Sequence, residues 1–503
     1  MFRRRSTSSR LRRAPAAAGL AAALACAGAL TAPAPVAGAA ATAARHDHHG
    51  SRVPIPSVTG PITGGTTGHP ANAMPPRFST VDHYTENEYF VSGTATAYAA
   101  NGTWGTNGRW SIRPTTTAPY ETRILVRRPA DPARFNGTVV VEWMNVSAGT
   151  DEDVDWGFAH DELVRDGFAY VGVSVQKAGI YGGGGIPGIT LTPLKVQDPV
   201  RYAPLVHPGD DYSYSIFSQA GALVRHHASA AVDPLGGLHV RHVIADGESQ
   251  SAFRMVTYAN AVQPRDHVFD AFLIHSRGAN ASGINAATPG PDVAHIRSDL
   301  PQPVLQFQTE TDLFGLGFYP ARQADTRRLR TWEVAGTSHV DQFELDYQVE
   351  ALTGGTATHI PGFPPGCATV NDGPQHDVLD TAYASLRSWL VRGQAPAHGT
   401  PFAVASGDIA RDADGNAIGG IRTPAVDVPV ATYTGIGTPG RGCFLFGTTT
   451  PFSAATLLAR YPTHANYVRK VARAADRAED KRFLLPADEK AIVDAARAAA
   501  IPN

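Results

Sequence analysis

The sequence predicts an α/β protein: a mostly parallel sheet of eight strands, flanked by helices, with loop insertions and a C-terminal appendage. Three observations carry that prediction. Five consecutive strand-like runs are apolar almost throughout, as in strands covered on both faces. Segments with helical spacing separate most of them, and strands alternating with helices specify a right-handed parallel arrangement. Turn formers and helix-terminating glycines punctuate the alternation.

Taken in order, "YFVSGTATAY" (89–98) and "TRILVRR" (122–128) alternate polar and apolar residues like half-exposed strands. "GTVVVEW" (137–143), "FAYVGVSVQ" (168–176), "VRHVIADG" (240–247), "DAFLIHS" (270–276) and "PVLQFQT" (303–309) are the continuous runs, and "LRTWEVAG" (329–336) is the eighth strand. Helices are expected over 155–167, ending at Gly167, and over 210–228, where Asp210 and Asp211 favour a helix start. Another follows Ser249 and stops before Pro264, and a fourth spans 376–393 with Val378, Leu379, Ala382, Leu386, Trp389 and Leu390 at helical spacing. The stretch 177–209 is too long and irregular for a plain connection and is expected to overhang the C-terminal edge of the sheet. "ARDADGNAIGGI" (410–421) reads as a hairpin turn; its acids resemble a calcium loop, but glycine comes too early, so no metal is expected there. A helical tail covers 464–500.

The first 39 residues combine a basic start, an Ala/Leu-rich stretch and an A-x-A site at Ala37-Gly38-Ala39, the layout of a secretory signal peptide. Pro and Gly interrupt the apolar run, and no later stretch is apolar for long enough to span a bilayer. Cys26 lies one place too close to Leu24 for a good lipoprotein signal, so secretion after cleavage is expected. Residues 40–75 read as a flexible leader, 76–393 as the catalytic domain, and 394–503 as an appendage packed on it. With a net charge of −2, nothing in the balance points to nucleic acid or an anionic membrane. Of three cysteines, Cys367 and Cys443 survive cleavage, and an even pair in an oxidising compartment predicts one disulfide. A bridge closing a loop of that length contributes about 4 kcal/mol. Neither cysteine has the partners of a zinc site.

The chemistry centres on "DGESQSA", where Ser249 stands between a strand and a helix. Ser174 and Ser338 also follow G-x, but the first lies inside a strand pattern and the second in a loop. A sharp strand-to-helix turn lifts a serine oxygen clear of the sheet, and the small residues Gly247 and Ser251 let that turn close. The N–H of Gln250, at the helix start, then faces an oxyanion formed at the serine. A serine needs a base, and the base an orienting acid. "GTSHVD" supplies His339 after the eighth strand; "QTETDLF" supplies Asp312 and Glu310 after the seventh, with Asp312 preferred for its place in the turn. Loops after adjacent strands converge at one sheet edge. His376, at a helix start, and Asp341 are rival base and acid. Glu248 is expected to point away from the serine as a buried structural acid, and the acids of "GTDEDVDW" to form a solvated helix entry. Asn145, after the third strand, lies where a second oxyanion donor is expected.

These residues resemble the α/β-hydrolase superfamily, and within it the secreted or periplasmic bacterial alpha/beta hydrolase domain proteins. The matching pieces are "VVVEWMNVSAG", "HPGDDYSYSIFSQAG", "DGESQSA", "QTETD", "GTSHVD", "GPQHDVL" and "GGIRTPAVDVPVATY", spread over about residues 80–460. The resemblance implies Ser249 as nucleophile and His339 as base and leaves the acid open between Asp312 and Glu310; "GES" is also similar to carboxylesterases. The expectation is an exported serine hydrolase of carboxylic esters, small or polymeric, that needs no cofactor. A secreted acyltransferase sharing the acyl-enzyme, and a non-catalytic binding protein on the same scaffold, are the alternatives.

Overall fold

The computed structural model describes residues 53–185, 191–358, 367, 369–438 and 442–502. The expected signal peptide and cleavage site, with the first part of the expected leader, lie outside the described residues.

Among the described residues one sheet of nine strands organises the fold. In chain order they are β1 (Ser57–Thr59), β2 (Tyr84–Ala100), β3 (Ile112–Pro129), β4 (Thr138–Trp143), β5 (Ala169–Val173), β6 (His242–Asp246), β7 (Ala271–His275), β8 (Val304–Gln308) and β9 (Leu329–Glu333). Their spatial order is β1-β2-β3-β5-β4-β6-β7-β8-β9. From β5 to β9 the pairings are parallel, whereas β1, β2 and β3 add antiparallel strands at one side. The eight expected strands are all present. The ninth, β1, falls in the stretch read as flexible leader; its three residues pair with Phe90, Val91 and Ser92, a register no local pattern announces.

Two apolar cores cover the two sheet faces. On one, Val139, Val141, Val243 and Ala245 pack against α2 (Ser213–Arg225) and α3 (Gln250–Thr257). On the other, Val140, Ile244, Leu273 and Leu305 pack against α1 (Val154–Arg165) and the long helix Gln375–Arg392. Such burial contributes about 25 cal/mol per Å² of apolar surface, which is why the parallel strands read as unbroken apolar runs.

Three local expectations are corrected. The helix after Ser249 does not stop before Pro264: a π-turn over Tyr258–Val262 leads into a short helix, Gln263–Asp266, with the proline in its first turn. There a missing N–H costs no intrahelical bond. β3 is not half-exposed: Thr122 to Arg127 are all buried, because the polar face of "TRILVRR" meets carboxylates instead of water. Those carboxylates include the supposedly solvated acids of "GTDEDVDW": Asp151, Asp153 and Asp155 are fully buried. Asp151 pairs with Arg123, Asp153 with Arg127, and Asp155 with His275.

Past residue 393 the chain forms small hairpins and the helices Ala454–Arg460, His464–Asp480 and Pro486–Ala498. In the "ARDADGNAIGGI" turn, Asp412 Oδ1 accepts from the N–H groups of Asp414 and Asn416, and Asp414 pairs with Arg460, so the acids are used by the turn itself. A disulfide joins Cys367 to Cys443, 76 residues apart.

Candidate active site

The turn between β6 and α3 carries Ser249 at φ 55° and ψ −118°, a left-handed conformation that is uncommon for a residue other than glycine. Holding it costs on the order of 1–3 kcal/mol, supplied by the surrounding structure. Its N–H donates to the carbonyl of His275 at the end of β7 (3.0 Å). His275 is itself fixed: Nδ1 bonds Asp155 at 2.8 Å, and Gln375 Nε2 donates to Nε2 at 3.2 Å. A side chain at Gly247 would meet Ser251 Cβ at 2.9 Å, which accounts for glycine there and for a small residue at 251.

His339 arrives on the loop after β9, where its N–H donates to Thr311 Oγ1 at 3.2 Å. Its Nε2 lies 2.8 Å from Ser249 Oγ, and its Nδ1 2.8 Å from Asp312 Oδ1. Asp312 opens the short helix α4 (Glu310–Phe314) in a capping box with Thr309, whose N–H donates to Asp312 Oδ2 at 2.7 Å. That bond fixes the carboxyl and leaves Oδ1 for the imidazole.

Glu310, two residues earlier, faces elsewhere. Its Oε1 accepts from Gly336 N at 2.7 Å, and its Oε2 from Arg411 Nη1 at 2.5 Å and Gly435 N at 3.1 Å. It ties the end of β8 to the C-terminal appendage. Asp341 caps the helix α5 (Gln342–Leu352), and burial pushes its carboxyl up to about 7. His376 stacks on Phe343 with ring centres 3.9 Å apart. Ser174 bonds Asp151, and Ser338 donates to the Val340 carbonyl.

Asn145 is close to the serine, yet its donors are committed. Its N–H goes to the Glu152 carbonyl at 2.9 Å, and its Nδ2 donates to the carbonyl (3.2 Å) and Oε2 (3.1 Å) of Glu248. The next residue, Val146, is buried, and among the described residues no hydrogen bond uses its N–H; the same holds for the N–H of Gln250 at the start of α3. Asn145 follows β4 as the sequence indicates, and which N–H of this turn stays unpaired depends on the Asn145–Glu152 bridge.

Glu248 corrects a second expectation. It does not point away from the serine: its Oε1 lies 3.1 Å from His339 Nε2. Burial, followed by the negative charges of Asp155, Asp312 and Glu344, raises its carboxyl well above the usual carboxylate range. Beside these groups is a cavity of about 90 Å³ with walls formed largely by Leu191, Val340, Leu345, Leu445 and Phe446. Glu344, on the same wall, is also raised well above the ordinary range by burial.

A sharp serine turn, an imidazole on its oxygen and a carboxylate behind the imidazole can perform nucleophilic acyl transfer. Solved structures similar to parts of this chain are of low identity and low TM-score. Est1E from Butyrivibrio proteoclasticus is 10% identical, with 51% of this chain and 97% of that one covered and a TM-score of 0.26. A fungal esterase from Rhizomucor miehei is 10% identical (54% and 84% covered, TM-score 0.25), and a dienelactone hydrolase from Anabaena variabilis 13% (42% and 77%, TM-score 0.23). No curated protein matches the chain. The profile of the alpha/beta hydrolase domain family matches residues 58–494, and this protein belongs to that family.

Proposed function

We propose that the protein is an exported serine hydrolase that cleaves carboxylic esters through an acyl-enzyme. The observation that carries this reading is the unbroken line Ser249 Oγ–His339 Nε2 (2.8 Å) and His339 Nδ1–Asp312 Oδ1 (2.8 Å). Ser249 attacks the ester carbonyl while Nε2 takes its proton. Asp312 accepts from Nδ1–H, which fixes the tautomer and stabilises the imidazolium. The N–H groups of Gln250 and Val146 hold the oxyanion, each donor worth roughly 3 kcal/mol in the transition state. Nε2–H then protonates the leaving alkoxide, and water, activated by the same imidazole, releases the acid. Glu310 takes no part.

Export is supported by the N-terminal layout and by the Cys367–Cys443 bridge, which suits an oxidising compartment. Among the described residues no helix is long and apolar enough to cross a membrane. The largely apolar cavity of about 90 Å³, smaller than an engineered cavity of about 150 Å³ that binds benzene, favours a short, uncharged acyl group.

The test is covalent labelling with a fluorophosphonate, followed by a p-nitrophenyl ester series. Wild type should label and turn over acetate and butyrate esters faster than palmitate, and Ser249→Ala should do neither. Labelling that persists in Ser249→Ala would reject the nucleophile.

A further inference from the structure

We propose that Glu248 is a positioning residue for this reaction, a second carboxyl that braces the Nε2 edge of His339 while Asp312 holds the Nδ1 edge. The inference rests on the serine-hydrolase reading and adds to it a group that the triad does not require.

The geometry comes first. Glu248 immediately precedes Ser249 on the strained turn, so its backbone moves with the nucleophile. Its carboxyl is buried and bridged: Oε2 accepts from Asn145 Nδ2 at 3.1 Å, which anchors it to the loop after β4. Oε1 is then left 3.1 Å from His339 Nε2. Ser249 Oγ occupies the hydrogen-bonding direction of that nitrogen at 2.8 Å, and Oε1 flanks it without a hydrogen-bond partner in the resting arrangement. A buried polar oxygen without a partner costs about 1–3 kcal/mol, so its retention beside the reacting nitrogen calls for a reason. Bracing is such a reason: the imidazole lies between two carboxyls and one hydroxyl, with little arc left in which to swing off the serine.

Protonation decides whether this neighbour helps or harms. The groups facing Glu248 are Asp155 from α1, Asp312 from α4, Glu344 from α5 and the imidazole itself; three of the four are acids. In that setting burial and the neighbouring acids favour the neutral form of the carboxyl. Because Asn145 donates to Oε2, the proton sits on Oε1. If it passed to Nε2, a carboxylate would face an imidazolium, with no proton gained or lost overall, and that imidazolium could not accept the proton of Ser249. The surrounding acids disfavour this transfer and keep the base free. At high pH the carboxyl loses its proton outright, and its charge then opposes the oxyanion forming one residue away.

The test compares Glu248→Ala with Glu248→Gln in the full-length protein, each checked for wild-type melting behaviour. Measured on p-nitrophenyl butyrate, Ala should lower kcat on the order of 10–10²-fold with KM little changed, as expected for a displaced catalytic group. Gln, of the same shape and unable to ionise, should recover most of that loss and remove the alkaline fall in kcat/KM. An Ala variant with wild-type kcat and pH profile would overturn the proposal. So would a Gln variant as impaired as Ala, since the carboxyl would then be working ionised. If Ala does not fold, the Gln profile alone decides, because a merely structural residue would leave the alkaline limb in place. Failure of wild type to label with fluorophosphonate would instead reject the underlying hydrolase reading.

Discussion

The two halves of the sheet keep their charges in different ways. From β4 to β9 the parallel strands bury apolar side chains on both faces, and polar groups collect at the C-terminal ends, where Ser249, His339 and Asp312 meet. The antiparallel half buries charge inside the structure. Arg123 and Arg127 are fully buried on β3; Glu88 and Asp151 hold the first, Glu86 and Asp153 the second, and Arg201 reaches Glu88 from the long insertion. The first half supplies a rigid platform by area, the second by pairing. Pairing is specific but conditional: a buried ion is tolerable only while its partners are present. The two halves meet at residues 144–155, the segment that carries Val146 and whose acids grip the arginines. The ion network is therefore linked through that segment to the turn beside Ser249.

The comparison predicts losses of different kinds. The largest belongs to the parallel edge: Asp312→Asn should lower kcat about 10⁴-fold with melting nearly unchanged, since the tautomer is lost and not the fold. Glu310→Gln is the control on the same short helix; it should keep turnover and lose roughly 1.5–3 kcal/mol of stability in urea, because it weakens the tie to Arg411 and Gly435. Equal kinetic losses in both would break the assignment of the acid. In the antiparallel half, Arg127→Met should cost about 3–5 kcal/mol by leaving Glu86 and Asp153 unpaired, and unfolding curves of the double variant with Asp153→Asn should show clear non-additivity. Additive losses would mean that the network is not a unit. Opening the Cys367–Cys443 bridge by a double serine substitution should cost about 4 kcal/mol or less, read in the same way. Smallest of all, Asp412→Ala at the hairpin turn should cost about 1 kcal/mol, seen as a small shift in melting.

What could be read in advance follows the same division. Periodicity sees burial, so the parallel strands and the helices between them were legible, and so was the serine on its turn. Periodicity cannot see pairing. "TRILVRR" looks half-exposed because arginine next to isoleucine means a wet face unless acids from another segment cover it. "GTDEDVDW" looks like a solvated helix entry for the complementary reason. β1 is three residues long and owes its existence to its partner strand. At the site, only its place in the turn favoured Asp312 over its neighbour Glu310; the Thr309 capping box directs the first to the imidazole, and Arg411, about a hundred residues later, claims the second. Asn145 lies in the turn after β4, but its donors are taken by Glu152 and Glu248.

By itself, then, the order of residues determined the class of fold, the strand-to-helix turn at Ser249 and the loop that brings His339, because each depends on local spacing and on burial summed over a few residues. Tertiary structure decided which acid faces the imidazole, beyond the preference the turn already gave Asp312, and it alone decided which N–H remains unpaired and where Glu248 points. Those outcomes turn on hydrogen bonds and charges between segments far apart in the chain, and a buried polar group goes where its partner is.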